Sequence, residues 1–132
     1  MWEENKITME IECRSFGFKN GADANADISF DVRCLPNPFY IKELKNKTGL
    51  DKPVRDYILG YEQSRTYLQK VIDFILFLIP IYEENGKEKL TVSFGCTGGH
   101  HRSVTFAIML CDALCEKGYN AVCYHRDINI QD

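Results

Sequence analysis

Residues 90–114 read LTVSFGCTGGHHRSVTFAIMLCDAL, and this stretch decides the fold of the chain. The run Leu90–Phe94 is apolar and rich in β-branched and aromatic residues, which predicts a buried strand. From Val104 onward, apolar residues recur every three or four positions, which predicts a helix with Gly118 just past its end. The stretch therefore predicts a strand, a loop over residues 95–103 and a helix, in that order.

The loop has the composition of an anion-binding site. Gly95, Gly98 and Gly99 permit positive φ angles, so that backbone amides can close around oxygen atoms. The helix that follows adds unpaired N–H groups and partial positive charge, and Arg102 offers a planar fork of donors for phosphate. The other polar side chains of the loop are Thr97, His100, His101 and Ser103. We therefore predict a strand–loop–helix anion cradle, in preference to a glycine turn that only caps a helix.

Two nucleotide-binding motifs are absent from the loop, and a catalytic alternative is present. Neither the glycine pattern of a dinucleotide fold nor a P-loop pattern occurs. The spacing of Cys96 and Arg102, Cys-x5-Arg, resembles the phosphate cradle of cysteine-dependent phosphatases, in which a thiolate attacks phosphorus. Gly95 stands where many of those enzymes carry histidine. The candidates for the general acid of such a reaction are Asp31 and Asp127.

Composition places the chain among ordinary globular proteins. Its 132 residues predict a single domain, residues 1–132, and its net charge of −3 shows no basic footprint for nucleic acid. The N-terminus lacks the basic start and apolar core of a secretory signal, so we expect a cytoplasmic protein with reduced cysteines. The six cysteines form no Cys-x-x-Cys pair. We predict no metal ion and no cofactor, and Cys96 is the one cysteine to which we assign more than a core role.

Three further strands are predicted by short apolar or alternating runs at Ile7–Phe16, Ile28–Val32 and Ala121–His125. The chain is therefore expected to form an α/β domain with a small, mostly parallel or mixed sheet, flanked by helices in two or three layers. Ligands of such sheets bind beyond the carboxyl ends of the strands. If the strands run parallel, Asp31, Arg33 and residues 125–127 meet the loop at one rim.

The remaining segments are a loop and two helices. Prolines exclude regular structure from residues 35–39, and a helix with Pro53 in its first turn is predicted to begin after Asp51 or Lys52. A longer helix is predicted over Ser64–Glu84, bent by Pro80. Its apolar centre is too short to span a membrane, so we expect a buried helix or one that also contacts a partner subunit.

Five separated motifs occur along the chain: SFGFK at 15–19, FDVRCLPNP at 30–38, TGLDKPV at 48–54, GCTGGHHRSV at 95–104 and HRD at 125–127. In this order they resemble the C-terminal domain of the RapZ family of RNase adapter proteins, over roughly Ile7 to Asp127. Proteins of that family pair an N-terminal P-loop domain with this domain. The resemblance implies a domain that binds small regulatory RNA, contacts an endoribonuclease, self-associates and senses an amino-sugar phosphate such as glucosamine 6-phosphate.

Carried over by position, the resemblance also implies a ligand pocket. Its residues would be Asp31, Arg33, Asn37, Cys96, Thr97, Gly98, Gly99, His101, Arg102 and Ser103. Around them, supporting positions would be Lys19, His100, which stands at a variable position of the family, His125 and Arg126.

The chain departs from the family pattern at both ends. No P-loop domain is present in it, so we expect a free-standing version or a fragment, for which a separate P-loop protein is a candidate partner. It ends INIQD instead of in a basic tail, and RNA affinity scales with phosphate contacts, so we expect weak RNA binding or none. The prediction is a regulatory domain that binds a phosphosugar or another oxyanion. A cysteine phosphatase and an RNA-binding adapter are the alternatives.

Overall fold

A four-stranded sheet organises residues 9–131, the part of the chain that this computed structural model describes. Its strands are β1 (Glu10–Gly17), β2 (Ile28–Asp31), β3 (Lys89–Cys96) and β4 (Asn120–His125). The spatial order is β2-β3-β1-β4, and all three pairings are parallel. The α/β class is confirmed, and the sheet is parallel throughout. The carboxyl ends of all four strands therefore lie at one edge.

The helices are α1 (Lys52–Leu59), α2 (Glu62–Glu84) and α3 (Arg102–Glu116). Phe106 of α3 packs on Phe94 of β3, with ring centroids 5.9 Å apart, and Tyr67 of α2 packs edge-on against Phe106 at 5.6 Å. The buried side chains of α1, Val54 and Ile58, join the same core. No helix within residues 9–131 is long and apolar enough to cross a membrane.

Within residues 9–131, the opposite face of the sheet carries a polar network and no α-helix. Arg14 of β1 donates to Asp23 at 2.6 Å through Nε, and Ser93 of β3 donates to the same carboxylate. The Arg14 guanidinium also lies over the Tyr124 ring, 4.7 Å from its centroid. Of the two arrangements predicted, the domain therefore has two layers, a sheet and helices on one side of it.

The strand and helix boundaries refine the predicted ones. β1 begins at Glu10, and the predicted start at Ile7 lies outside the described residues. β3 continues through Gly95 and Cys96, because these residues pair with the end of β1, and α3 begins at Arg102. The loop predicted over residues 95–103 is therefore shorter. It comprises residues 97–101 and is called the cradle loop below.

Two other segments were predicted with mixed success. The stretch after Leu35 is not wholly irregular, because Pro38–Tyr40 forms a 3₁₀ turn in which Asn37 Oδ1 accepts a hydrogen bond from Phe39 N at 3.1 Å. A proline at the start of such a turn loses no hydrogen bond. The start of α1 after Asp51 is confirmed, α2 begins two residues before Ser64, at Glu62, and α3 ends before Gly118 at φ 91°.

Candidate functional site

A cavity of about 320 Å³ opens at the carboxyl edge of the sheet, between the cradle loop and the Pro38–Tyr40 turn. This volume lies at the lower end of the range of ligand pockets, ~300–1,000 Å³. It is called the first cavity below. Its lining residues are Lys19, Asn37, Phe39, Tyr40, Cys96, Thr97, Gly98, His100, His101 and Arg102.

Neighbouring backbone holds the cradle loop from two sides. Lys19 N donates to the Thr97 carbonyl at 3.1 Å, and Gly49 N donates to the His100 carbonyl at 2.8 Å. Of Gly95, Gly98 and Gly99, which all permit positive φ angles, only Gly99 adopts one, at φ 84°. The loop therefore owes its path mainly to these hydrogen bonds and less to glycine freedom than the sequence indicates.

The end of β1 supports the cradle loop from beneath. A Cβ atom placed on Gly17 would lie 2.4 Å from the carbonyl carbon of Gly98, so only glycine allows this approach. Asp127 Oδ2 accepts a hydrogen bond from Gly17 N at 2.7 Å, and Arg126 pairs with Asp127 at 2.8 Å. The HRD motif thus supports the loop without lining the first cavity.

Arg102 is a buried arginine whose hydrogen bonding is incomplete. The residue is 4% exposed and lies in the first turn of α3. Its Nη1 donates to the carbonyls of Arg33 at 2.7 Å and Leu35 at 3.1 Å, while its Nε has no partner among the described residues. Burying an unpaired charged donor is costly. The guanidinium is therefore suited to accept an anion in the first cavity.

His101 is the second buried side chain with an unused nitrogen. It is 7% exposed, and its Nε2 has no partner within residues 9–131. Burial lowers the pKa of His101, and backbone hydrogen bonds to Lys47 and Lys45 oppose that shift only in part. The imidazole is therefore neutral near pH 7, and Nε2 is available to a polar group of a ligand.

Cys96 lines the first cavity, and Ser103 lies beside it. Cys96, the last residue of β3, is buried and donates through Sγ to Ser103 Oγ at 3.2 Å. Ser103 itself does not line the cavity. The Cys-x5-Arg pattern therefore places both of its residues, Cys96 and Arg102, at the cavity wall, and the role of the thiol stays a prediction.

Neither candidate general acid lies beside the thiol. Asp31 forms an exposed ion pair with Arg33 at 2.7 Å. Burial would raise the pKa of Asp127, but hydrogen bonds from Arg126 and Gly17 N hold it below its usual value. None of the aspartates and glutamates in the described chain lines the first cavity. Within residues 9–131, no group of three or more histidine, cysteine, aspartate or glutamate side chains could hold a metal ion.

The structure divides the predicted site residues into two groups. Those that line the first cavity are Asn37, Cys96, Thr97, Gly98, His101 and Arg102, together with the supporting positions Lys19 and His100. Those that do not line it are Asp31, Arg33, Gly99, Ser103, His125 and Arg126. The Arg33 guanidinium instead lies 3.9 Å from the centroid of the Phe18 ring, and His125 Nδ1 shares a 2.7 Å hydrogen bond with Ser15 Oγ.

Sequence analysis assigned no role to two aromatic residues of the first cavity. Phe39 and Tyr40 follow Pro38 in the 3₁₀ turn and are 41% and 81% exposed. The Lys45 ammonium lies 4.8 Å from the centroid of the Phe39 ring. The only sequence signal for them is the unusual placement of two adjacent aromatic residues in a proline-bearing loop.

Comparison with known proteins extends over almost the whole chain. The family model for the RapZ C-terminal domain matches residues 9–129. Proteins named nucleotide-binding protein from Caldicellulosiruptor saccharolyticus and Alkaliphilus oremlandii are 50% and 53% identical over 126 and 128 residues, which are 96% and 97% of this chain. One of the same name from Staphylococcus epidermidis is 45% identical over 98% of the chain. The chain spans about 43% of the length of each of these curated relatives. It belongs to the RapZ C-terminal domain family.

Proposed function

We propose that this domain is a regulatory module that binds a phosphorylated metabolite in the first cavity without turning it over. Glucosamine 6-phosphate, the ligand class implied by the family resemblance, is the specific candidate. The observation that carries the proposal is the buried side chain of Arg102, which lines the cavity and has no carboxylate partner among the described residues. An anion in the cavity would pair with this charge.

The surroundings of Arg102 favour phosphate. The first cavity lies at the N-terminus of α3, where backbone N–H groups and the helix dipole favour negative charge. Lys19 adds a cationic side chain to the wall, and no carboxylate of the described residues lines it to compete with the ligand. The cavity is therefore electrostatically suited to a dianion.

The other lining residues suit a sugar. Asn37 and His101 offer polar atoms at the wall, and Phe39 offers an apolar ring. Sugar rings combine hydroxyl groups with apolar C–H faces, and a site that mixes polar and aromatic side chains can bind both. The nucleotide-binding activity in the names of the relatives belongs to proteins more than twice as long, and we do not extend it to this domain.

Isothermal titration calorimetry with glucosamine 6-phosphate tests the proposal. We expect saturable heat at one ligand per chain, and affinity about tenfold lower in Arg102→Lys, because lysine keeps the charge but loses the planar fork. Arg33→Lys is the matched control, since Arg33 does not line the cavity, and it should bind within about twofold of the unchanged protein. Equal affinity in Arg102→Lys and the unchanged protein would contradict the proposal.

A cysteine phosphatase is the second candidate, because the Cys96 thiol lines the cavity and is hydrogen-bonded to Ser103. The absence of a lining carboxylate within residues 9–131 leaves the leaving group without an evident acid. Release of phosphate from p-nitrophenyl phosphate distinguishes the two functions. Steady turnover that is lost in Cys96→Ser would establish the enzyme, and its absence with intact binding would support the sensor.

The partners implied by the resemblance are proposals of a different kind. Each of these partners would bind to a surface of the domain: RNA, an endoribonuclease, a second copy of the chain or a P-loop protein. The metabolite proposed above needs only the first cavity. With a net charge of −3, any RNA affinity should depend on a local patch and weaken steeply with salt. A mobility shift at low salt that disappears at high salt would establish such binding.

A further inference from the structure

A second cavity adjoins the first. It has a volume of about 560 Å³ and shares Phe39, His100 and His101 with the first cavity as a common wall. Its other walls are the segment Lys45–Thr48 and residues 128–131, which follow β4. Together the two cavities provide far more room than one phosphorylated sugar ring needs.

The second cavity is also positively charged. Lys45 and Lys47 belong to its wall, and none of the carboxylates within residues 9–131 does. Lys47 is exposed and forms no ion pair with any described carboxylate, while the Lys45 ammonium is placed over the Phe39 ring. Each cavity therefore has cationic side chains in its wall, Arg102 and Lys19 in the first, and Lys47 and Lys45 in the second.

The shared wall is suited to a ring between the two charges. His101 is nine-tenths buried, its Nε2 is unpartnered within the described chain, and it borders both cavities. Phe39 presents a partly exposed ring to both sides. A ring packed on Phe39 would use the wall, which a free phosphate cannot do.

We propose that the two cavities bind one ligand with two phosphate groups on a single ring system, a sugar bisphosphate or a nucleoside bisphosphate. One phosphate lies near Arg102 and the other near Lys47. The inference rests on the proposed function for the first phosphate and extends it to the second cavity.

Titration with matched pairs of ligands tests the inference. The pairs are glucose 6-phosphate with glucose 1,6-bisphosphate, and adenosine 5′-monophosphate with adenosine 3′,5′-bisphosphate. We expect at least one bisphosphate to bind about tenfold more tightly than its monophosphate, and the pair that shows the gain identifies the ring as sugar or nucleoside. Lys47→Ala should remove that gain and leave monophosphate affinity unchanged. Lys117→Ala, an exposed lysine after the far end of α3, is the matched control and should keep the gain.

The outcomes separate this inference from the function on which it rests. If monophosphates bind and neither bisphosphate binds more tightly, the second cavity is not part of the site and the inference is overturned, while the proposed function stands. An equal loss of monophosphate and bisphosphate affinity in Lys47→Ala also overturns the inference. If no phosphorylated compound binds, both are overturned.

Discussion

Two arginines of this domain, the partly buried Arg14 and the buried Arg102, differ in their hydrogen-bond partners. Arg14, on the polar face of the sheet, is matched by carboxylates, with Nε 2.6 Å from Asp23 and Nη1 3.2 Å from Glu12. Arg102, at the carboxyl edge, has only carbonyl partners and an unpartnered Nε within residues 9–131. A charged side chain that is paired with carboxylates contributes to the stability of the fold. A buried charge without such a partner indicates a site that binds a ligand. We therefore expect Arg14 to contribute to stability, and the proposed function requires Arg102 to bind the ligand.

The largest effect is expected from Asp23→Ala, which breaks the compensated pair. The change leaves the Arg14 guanidinium without its main partner and Ser93 without its acceptor, so unfolding should become easier by about 3 kcal/mol. Urea denaturation measures this loss, and affinity for glucosamine 6-phosphate should stay within about twofold of the unchanged protein.

Asp56→Ala is the control for Asp23→Ala. Asp56 forms an exposed pair with Lys52 one helical turn away, so its removal should cost less than about 0.5 kcal/mol. Similar losses in the two variants would contradict a structural role for the Arg14 network.

A smaller effect on stability, with an added effect on binding, is expected from Gly17→Ala. The new methyl group would meet the Gly98 carbonyl, so the cradle loop must move, at a cost of about 2 kcal/mol in the free energy of unfolding. Because Thr97 and Gly98 line the first cavity, calorimetry should show about tenfold weaker binding of glucosamine 6-phosphate.

Gly60→Ala provides the comparison for Gly17→Ala. Gly60 has helical φ and ψ angles at the end of α1, and its nearest neighbour to an added Cβ is 3.1 Å away. The affinity of the Gly60→Ala variant for glucosamine 6-phosphate should equal that of the unchanged protein. Undiminished affinity in Gly17→Ala would show that the cradle loop is not part of the ligand site.

The smallest effect concerns pH. Burial lowers the pKa of His101 and of His125 below the usual 6.5. Below pH 6.5 the unfolded chain takes up protons that the folded chain does not, so stability is present above that pH and falls as the pH decreases towards the folded pKa values. We expect a loss of about 1 kcal/mol between pH 7.5 and 5.5 by urea denaturation.

The carboxylate that supports the cradle loop should not contribute to that loss. The pKa of Asp127 is lowered, so the stability that it adds is lost only below about pH 4, the ordinary range of an aspartate. His101→Asn should reduce the dependence between pH 7.5 and 5.5. An unchanged slope in that variant would show that the pKa of His101 is the same in the folded and the unfolded chain.

The order of strand, loop and helix could be predicted because hydrophobic periodicity is a local signal. The last two residues of β3 could not be predicted in this way. Gly95 and Cys96 belong to the strand only because they pair with Phe16 and Gly17, which are far away in the sequence. The meeting of strand ends at one edge was conditional on parallel strands, and pairing of β1 with both β3 and β4 fulfils that condition.

For the site, sequence identifies residue types and tertiary contacts select among them. Arg33 and Arg102 were both among the predicted site residues, but Arg33 pairs with the exposed Asp31 while Arg102 is buried at the cavity wall. No sequence motif marked Phe39 and Tyr40 as site residues, because their position at the cavity depends on the path of residues 32–40 at the edge of the sheet. The ligand-binding role of the matched positions stays a prediction until binding is measured.

The position of β1 in the sheet has a consequence for synthesis of the chain. β1 is an inner strand whose neighbours, β3 and β4, are both made much later, since Glu10 pairs with Lys89 and Asn120. Pairings between such distant segments form slowly, and a strand that waits for them is exposed to other chains in the meantime. We expect β1 to stay unpaired on the ribosome until β3 has emerged, and proteolysis of ribosome-bound chains that end before and after α3 would reveal the change. The strand that supports the cradle loop is thus translated before β3 and β4, and it cannot pair until they have been made.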